Sequence, residues 1–181
     1  MFRNIGKKED FIEISNYNDK LYLVRWDYQP IYKEVFNEKG EPTGKVVEDE
    51  VFASWEQETY YKKPELQEIK NKILDYFNTK TDSKILTGFI WTPENGTPIN
   101  VYLSSENQFN YKAAYDLAFQ TKGESLPFRL KFGETDTPQY YDFTDMEVFS
   151  DFYYKCINYI NTCLQEGWTE KDSIDWSKYI F

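Results

Sequence analysis

The feature that most constrains the fold is a regular apolar stripe near the carboxyl end of the chain. Six residues recur at steps of three and four positions: Met146, Phe149, Tyr153, Cys156, Ile160 and Cys163. This spacing keeps the side chains on one face of an α-helix. Thr144 and Glu147 have the spacing of a capping box, and Gly167 offers a C-terminal stop. The sequence therefore predicts an amphipathic helix whose stripe covers a sheet, in preference to pairing with a distant helix.

The first eighty residues have the pattern of a small β-sheet followed by one helix. Four segments rich in β-branched and aromatic residues are predicted as strands: 11–14, 21–28, 31–36 and 45–60. Pro30 separates two of them, and the polar segment 37–44 is typical of a hairpin tip. A helix is predicted from Pro64 to about residue 78. The prediction for 1–80 is an antiparallel meander plus a helix, ending at a short polar boundary, 79–83.

Residues 84–181 are predicted to form a second lobe of two hairpins and two helices. Its strands are predicted in pairs: 85–91 with 99–103, and 128–132 with 139–142. The Asn95-Gly96 dipeptide supplies the positive φ angles that the first hairpin turn needs. The order along the chain is therefore hairpin, helix, hairpin and long helix. The fold class is α+β, with two small lobes, each an antiparallel sheet or hairpins packed against amphipathic helices.

The first helix of the second lobe is predicted to begin at a serine cap, Ser104 or Ser105, and to end near Gly123. Its buried face is predicted from four apolar residues: Phe109, Ala113, Leu117 and Ala118. The chain closes with an apolar tail, 168–181, which is expected to dock on its own lobe or on a neighbouring molecule.

The chain contains no histidine, while 19% of its residues are aromatic. Without imidazole there is no Ser-His-Asp triad, no Cys-His pair and no histidine metal ligand. Cys156 and Cys163 lie seven residues apart and are predicted as buried members of the helical stripe, too far apart for a disulfide within one helix. We therefore expect a protein that is not an enzyme, with no catalytic residue, no cofactor and no metal site.

The net charge of −10 argues against binding to a nucleic-acid backbone, which requires a basic surface. The excess is uneven, since residues 1–84 hold 14 Lys and Arg against 17 Asp and Glu, and residues 85–181 hold 7 against 14. Partners of the second half are expected to present neutral or basic surfaces. No segment approaches the roughly 20 apolar residues of a transmembrane helix, so no membrane partner is expected.

Four carboxylates surround the turn of the second hairpin and the start of the long helix: Glu134, Asp136, Asp142 and Asp145. A pair of carboxyl groups could act as acid and base in glycoside hydrolysis, and the same oxygens could hold a hard cation. The interpretation that we favour is structural, namely helix capping and solvation of the turn.

Aromatic residues provide the candidate partner-binding surface. Neighbouring residues face different ways, so one tyrosine of a doublet can be buried while the other is exposed. The candidates are two tyrosine doublets and three tail residues: Tyr60, Tyr61, Tyr140, Tyr141, Trp176, Tyr179 and Phe181. A third doublet, Tyr153-Tyr154, lies in the long helix. The alternative is that an AT-rich genome supplied these tyrosines without functional demand.

Several segments of the second lobe follow one another in a distinctive order: 88–91, the Asn-Gly turn, 101–109 leading into an alanine-bearing helix, 132–133, 140–144, 166–168 and 171–174. In this arrangement residues 85–176 resemble an uncharacterised domain of phage tail and tail-fibre-associated proteins. The sequence departs from it at 104–106, where many relatives carry an aspartate, and at 132–134, where they carry Trp followed by Asp-Gly. Residues 1–80 carry no such resemblance. The aromatic, AT-rich style is similar to proteins of crAss-like phages that infect gut Bacteroidetes.

The resemblance implies a phage particle component or an assembly helper, and it implies no catalytic residues. We expect a structural or adaptor protein of a tailed phage virion, near the tail, which contacts other phage structural proteins in multiple copies of a symmetric assembly. It would be located in the virion and, during assembly, in the host cytoplasm. One alternative is a tail-fibre assembly chaperone absent from the mature particle. Another is a glycan hydrolase or glycan-binding module, which requires a cleft with two acids beside a tryptophan.

Overall fold

The computed structural model describes residues 3–15, 21–94, 96–133 and 136–181. It confirms the α+β class, with antiparallel strands and helices in similar proportion. The chain forms two compact units: the first comprises 1–75 with 174–181, and the second comprises 76–173. Asn95, which was predicted in a hairpin turn, and Glu134, which was a candidate carboxylate, lie outside the described residues.

The first unit is built on a four-stranded antiparallel sheet. Its strands are β1 (Asn4–Lys7), β2 (Ile12–Ser15), β3 (Leu21–Phe36) and β4 (Pro42–Tyr60). The order across the sheet is β1-β4-β3-β2, so β1 pairs with β4 and not with its neighbour in sequence. The predicted strands keep the order of a meander, β2-β3-β4, but β1 was not predicted, because a four-residue strand with glycine at its third position gives no periodic signal.

Strand β3 is continuous through Pro30, where the sequence predicted a break. Strand β2 pairs with β3 only as far as Val24, so the outer side of β3 has no described strand neighbour at Pro30. A proline is tolerated on an edge strand because no ladder hydrogen bond is lost there. The disturbance is instead a bulge between Trp26 and Gln29, where Asp27 adopts a φ of 48°.

Helix α1 (Leu66–Thr87) is longer than predicted, and the polar segment 79–83 lies inside it. The buried residues recur at every fourth position: Ile69, Ile73, Phe77, Thr81 and Ile85. Thr81 takes an apolar place in this series because its hydroxyl donates to the carbonyl of Phe77 at 2.9 Å. The division between the two units falls between Asp75 and Tyr76, so the predicted boundary at 79–83 is corrected.

The second unit has the predicted order of elements. They are β5 (Phe89–Trp91), β6 (Ile99–Val101), α2 (Ser105–Gln120), β7 (Phe128–Gly133), β8 (Pro138–Phe143) and α3 (Met146–Asp172). Strands β5 and β6 form one antiparallel hairpin, and β7 and β8 form another. Gly88 precedes β5 with a φ of +70°, and a Cβ there would lie 1.7 Å from the Val101 carbonyl oxygen, so the close approach of β6 requires glycine.

Aromatic rings from β5, the second hairpin and α3 form the core of the second unit. Phe143 stacks on Phe149 with ring centroids 4.4 Å apart, and Trp91 meets Phe152 edge to face at 5.0 Å. Cys156 and Cys163 are buried free thiols in the same core, as the stripe predicted. The stripe of α3 therefore packs against both a hairpin and a helix, since Phe149 also contacts Tyr115 of α2 at 5.7 Å.

Helix α3 begins and ends differently from the prediction. Its N-cap is Asp145, not Thr144, and the Asp145 carboxylate accepts from the backbone N–H groups of Glu147 and Val148. Gly167 does not stop the helix but lies buried within it. A Cβ at Gly167 would lie 2.2 Å from the Thr81 hydroxyl, so this glycine permits the close crossing of α1 and α3.

Candidate interaction surfaces

Residues 31–51, which we name the arm, form a two-stranded ribbon beyond the body of the first sheet. Strand β2 pairs with β3 only over Leu21–Val24, and β1 pairs with β4 only over Phe52–Trp55. Among the described residues the arm strands therefore form ladder pairs only with each other, apart from one hydrogen bond at the base, where the Lys8 N–H donates to the Val51 carbonyl at 2.9 Å. Their large apolar side chains are exposed to solvent: Tyr32, Phe36, Val46, Val47 and Val51. Such a cluster on a monomer's surface is typical of an interaction site.

The tip of the arm is an ordered turn organised by Asn37. Its side-chain carbonyl accepts from the backbone N–H groups of Lys39 and Glu41, each at 2.9 Å. Its backbone N–H donates to the Glu41 carbonyl at 2.9 Å, and Gly40 occupies the left-handed region with a φ of 77°. The Thr43 hydroxyl bonds across the strands to the Val35 carbonyl at 2.7 Å. The exposed apolar residues are thus carried on a well-bonded hairpin.

The base of the arm is anchored by buried Asp49. One carboxylate oxygen accepts from the N–H groups of Val51 at 2.9 Å and Phe52 at 3.0 Å, which shapes a bulge in β4. The other oxygen lies 2.5 Å from the Lys33 ammonium group. The Lys33 hydrogen bond and the two backbone N–H groups lower the pKa of Asp49 to about 2.

Neighbouring Glu48 also holds the base of the arm. Its carboxylate lies 2.5 Å from the Lys8 ammonium group and accepts from the Tyr28 hydroxyl at 2.8 Å.

The register of the arm separates its charges between its two faces. Cross-strand partners project on the same side of a ribbon, and alternate residues of one strand do so too. The pairs Tyr32 with Glu48 and Glu34 with Val46 occupy one face, which we name the acidic face. The pair Lys33 with Val47 occupies the other, which we name the basic face.

The alternation of side chains along each strand assigns three further residues. The acidic face also carries Phe36, and the basic face also carries Val35 and Lys45.

In the second unit, helix α2 exposes most of the face that the sequence predicted as buried. Phe109 is 71% exposed and Leu117 47% exposed, and Ala113 is also at the surface. The buried face consists instead of Tyr111, Tyr115 and Ala118. Tyr115 stacks on Tyr153 with centroids 4.3 Å apart and contacts Phe149 edge to face at 5.7 Å, so the buried face of α2 packs on aromatic rings of α3. The predicted cap at Ser104 is confirmed.

A small apolar groove of about 190 Å³ lies between α2 and α3. Its lining includes Phe109, Tyr111, Tyr153, Cys156 and Ile157. The Tyr111 hydroxyl is buried and has no hydrogen-bond partner in the described part of the chain, and burial raises its pKa. Burial also raises the pKa of the Cys156 thiol to about 12, so it stays protonated at neutral pH and is not a nucleophile.

Two of the four candidate carboxylates, Asp142 and Asp145, have structural partners. Asp142 forms a bidentate pair with Arg129, both distances being 2.7 Å, and Asp145 caps α3. A polar groove of about 590 Å³ lies beside β7, and the described residues of its lining include one carboxylate, Glu106, and no tryptophan. These residues do not supply the two acids beside a tryptophan that the glycan alternative requires. Among the described residues no group of three or more possible metal ligands occurs.

The two candidate tyrosine doublets each have one exposed and one partly buried member. Tyr61 is 84% exposed beside half-buried Tyr60. Tyr140 is exposed, whereas Tyr141 packs edge to face on Trp91 with centroids 5.0 Å apart. The doublets lie in different units, so each offers a single exposed ring and not a continuous surface by itself.

The predicted docking tail is packed against its own unit. Tyr179, in a 3₁₀ turn (Trp176–Tyr179), is buried and donates its hydroxyl to the Arg25 carbonyl at 3.0 Å. Tyr179 is therefore unavailable to a partner, which corrects the prediction for that residue. Trp176 is half-buried with the Lys70 ammonium 5.4 Å from its ring centroid, and Phe181 lies 5.7 Å from Tyr22.

The arm was missed by sequence reasoning because its strands look like ordinary strands of a sheet. The available signal is that both alternating sets of residues in 31–36 contain apolar side chains, Ile31 with Val35 and Tyr32 with Phe36. A strand with one buried face has apolar residues in only one of these sets.

Comparison with protein-family models, curated proteins and solved structures gave no match for this chain. No helix among the described residues is long and apolar enough to cross a membrane.

Proposed function

We propose that this chain is a non-enzymatic structural or adaptor protein of a tailed bacteriophage particle, which acts through protein–protein contacts. The single observation that carries the protein-contact role is the arm, in which large apolar side chains are exposed on a hydrogen-bonded ribbon. Ordered exposure of this kind lowers the entropy cost of binding, because the contact residues are already positioned. The acidic second unit favours a partner with a neutral or basic surface.

The resemblance of residues 85–176 to phage tail-associated domains supports the assignment of these contacts to a phage particle. The absence of catalysis is supported by the roles of the reactive groups: Cys156 is buried and protonated, Asp142 pairs with Arg129, and Asp145 caps a helix. Each of these side chains is already used in holding the second unit together. We therefore propose a scaffold role without a chemical step.

Quantitative mass spectrometry of gradient-purified particles tests this proposal, with the major capsid protein as the internal reference. The expected result is a fixed ratio that corresponds to a few to a few dozen copies per particle. Absence from particles together with abundance in infected lysate would contradict the structural role and favour the assembly chaperone. Absence from both particles and lysate at every stage of infection would contradict both.

Variants of the arm test whether its exposed apolar residues are needed for incorporation into particles. Phe36→Ser removes an exposed ring of the arm, and Ile90→Thr changes a similarly exposed residue of the second unit, at 67% exposure. In phage that carry each variant, we expect Phe36→Ser to lower the copies per particle severalfold and Ile90→Thr to leave them unchanged. Equal incorporation of the two variants would show that the arm is not the contact.

A further inference from the structure

The two faces of the arm are complementary to each other in charge and alike in apolar character. The acidic face presents Tyr32 and Val46 beside Glu34, and the basic face presents Val47 beside Lys45. A ribbon with both faces exposed can stack on another ribbon through each of them, at the spacing of about 10 Å typical of packed sheets. The arm therefore carries a surface and its counterpart on opposite sides.

One charge on each face is unpaired. Lys33 of the basic face is used by Asp49, and Glu48 of the acidic face is used by Lys8 and Tyr28. The carboxylate of Glu34 and the ammonium group of Lys45 form neither an ion pair nor a hydrogen bond with any described residue, although the Lys45 backbone N–H bonds to the Thr43 hydroxyl. They also lie on opposite faces, so they cannot meet within one chain. Both are free to meet the opposite charge on a second molecule.

We propose that the partner of the arm is a second copy of this chain, with the acidic face of one arm stacked on the basic face of the next. This inference rests on the proposed scaffold function and names the partner of the same surface. Glu34 of one copy then pairs with Lys45 of its neighbour across an apolar contact that includes Tyr32 and Val47. A two-fold contact between identical faces would instead place like charges near each other.

The contact is heterologous, because two different faces meet, so each copy has one face left for a further copy. Repetition produces a ring when the rotation closes and a filament when it does not. The arm includes six residues of β3, 31–36, which span about 20 Å at roughly 3.3 Å per residue. A ribbon of that length offers a contact area smaller than the roughly 1,200 Å² that a stable complex buries. Assembly is therefore expected to depend on concentration and to gain strength from ring closure.

Charge reversal tests the arrangement. Sedimentation velocity and native mass spectrometry of the full chain, from about 10 μM to 1 mM in low salt, are expected to show oligomers that dissociate on dilution. Glu34→Lys alone and Lys45→Glu alone should each weaken association about tenfold, because an attractive pair becomes repulsive. Both positions are exposed, and unchanged thermal unfolding of each variant checks that the fold is intact.

An equimolar mixture of the two variants is the decisive sample. In a head-to-tail contact, the substituted acidic face of the first variant meets the substituted basic face of the second, and opposite charges are restored. The unsubstituted faces also remain complementary, so the mixture should associate about as well as the parent chain. A contact between identical faces predicts instead that neither single variant weakens association, because each substitution replaces one pair of like charges with another or lies outside the contact. Ile90→Thr, outside the arm, should leave association unchanged, while Phe36→Ser should weaken it.

A chain that stays monomeric at 1 mM, or association that neither charge reversal affects, would overturn the proposal. Loss in both single variants without recovery in the mixture would overturn the head-to-tail arrangement. These outcomes are separable from the particle measurement. A monomeric chain found at a fixed ratio in particles removes only the self-association, and an assembling chain absent from particles removes only the virion role.

Discussion

The arm and the core of the second unit use the same residue types in opposite environments. Phe143, Phe149 and Phe152 are fully buried in one core cluster with Trp91, whereas Phe36 of the arm is 57% exposed. The difference lies in what each segment packs against. The second hairpin is covered by α3, while the arm has no cover among the described residues. An aromatic-rich composition therefore serves both core packing and surface contact, and only the packing distinguishes the two.

The two units also differ in how many charged side chains they bury. The described core cluster of the second unit is apolar and aromatic, whereas Arg25, Asp49 and Glu56 are buried in the first. Arg3 bridges two carboxylates, Asp27 and Glu56, each at 3.1 Å. The comparison indicates that the second unit depends on ring packing and the first depends in part on satisfied polar groups. The predictions below test this difference, from the largest expected effect to the smallest.

Phe152→Ala should lower the free energy of unfolding by about 3–5 kcal/mol, because it removes a fully buried ring and leaves a cavity. Phe36→Ala, at an exposed ring of the arm, should change it by no more than about 0.5 kcal/mol. Urea unfolding followed by circular dichroism, with amide hydrogen exchange in α3, measures both. Equal costs for the two variants would remove the distinction between core and arm.

Gly167→Ala should destabilise the second unit by about 3 kcal/mol, because the added methyl would overlap the Thr81 hydroxyl where the helices cross. The double variant with Thr81→Ala should recover part of this loss, since the nearest clashing atom is removed. Asn161→Ala, an exposed site on α3, is the control. A double variant no more stable than Gly167→Ala would exclude the crossing as the cause. Thermal unfolding of the four proteins makes the comparison.

Arg25→Met should cost about 2 kcal/mol, because it leaves groups of the first unit without their donor. Arg25 donates to Gln57 at 3.0 Å, to the Asp10 carbonyl at 3.3 Å and to Glu13 at 2.5 Å. The matched control is Arg129→Met, which breaks an exposed pair and should cost less than Arg25→Met, because solvent screens that pair. If the exposed pair proves the more costly, the first unit does not depend on its buried arginine.

The smallest expected effect is the pH dependence of the free energy of unfolding that Asp49 causes in acid. The pKa of Asp49 lies at about 2 in the folded chain, below its ordinary value of 3.8, so the unfolded chain binds the proton more readily. The stabilisation from Asp49 is therefore complete above pH 4 and is lost as the pH falls towards 2. The difference in unfolding free energy between the parent chain and Asp49→Asn should shrink over that window.

In a Lys33→Met variant, the stabilisation from Asp49 should be lost at higher pH, because the Lys33 hydrogen bond is the largest cause of the lowered Asp49 pKa. A difference between parent and Asp49→Asn that is constant from pH 5 to pH 2 would show that Asp49 does not anchor the arm through its charge.

Several parts of the fold were predictable because they depend on neighbours along the chain. The Ser104 cap and the burial of Cys156 and Cys163 follow from local periodicity and capping chemistry. The boundary at 79–83 was wrong because Thr81 looks polar in sequence but bonds its hydroxyl to its own helix. The cap of α3 was misplaced by one residue because Thr144 and Asp145 are both good caps.

The candidate surfaces were less predictable, because exposure depends on residues distant in sequence. Helix α2 has two apolar stripes, and Tyr115 rather than Phe109 faces the core because Tyr153 and Phe149 lie opposite it. Tyr179 was predicted at an interface, but its hydroxyl donates to the Arg25 carbonyl and its ring packs edge to face on Phe11. Neither choice is encoded in the local pattern.

By itself, the sequence determined the α+β class, the order of elements in the second unit and the Ser104 cap of α2, because these arise from interactions within a few residues. Only the tertiary structure decided that β1 lies beside β4, that the outer stripe of α2 faces solvent and that the arm extends without cover. The physical reason is that burial is settled by competition among all apolar surfaces of the chain, and periodicity reports only that a surface exists.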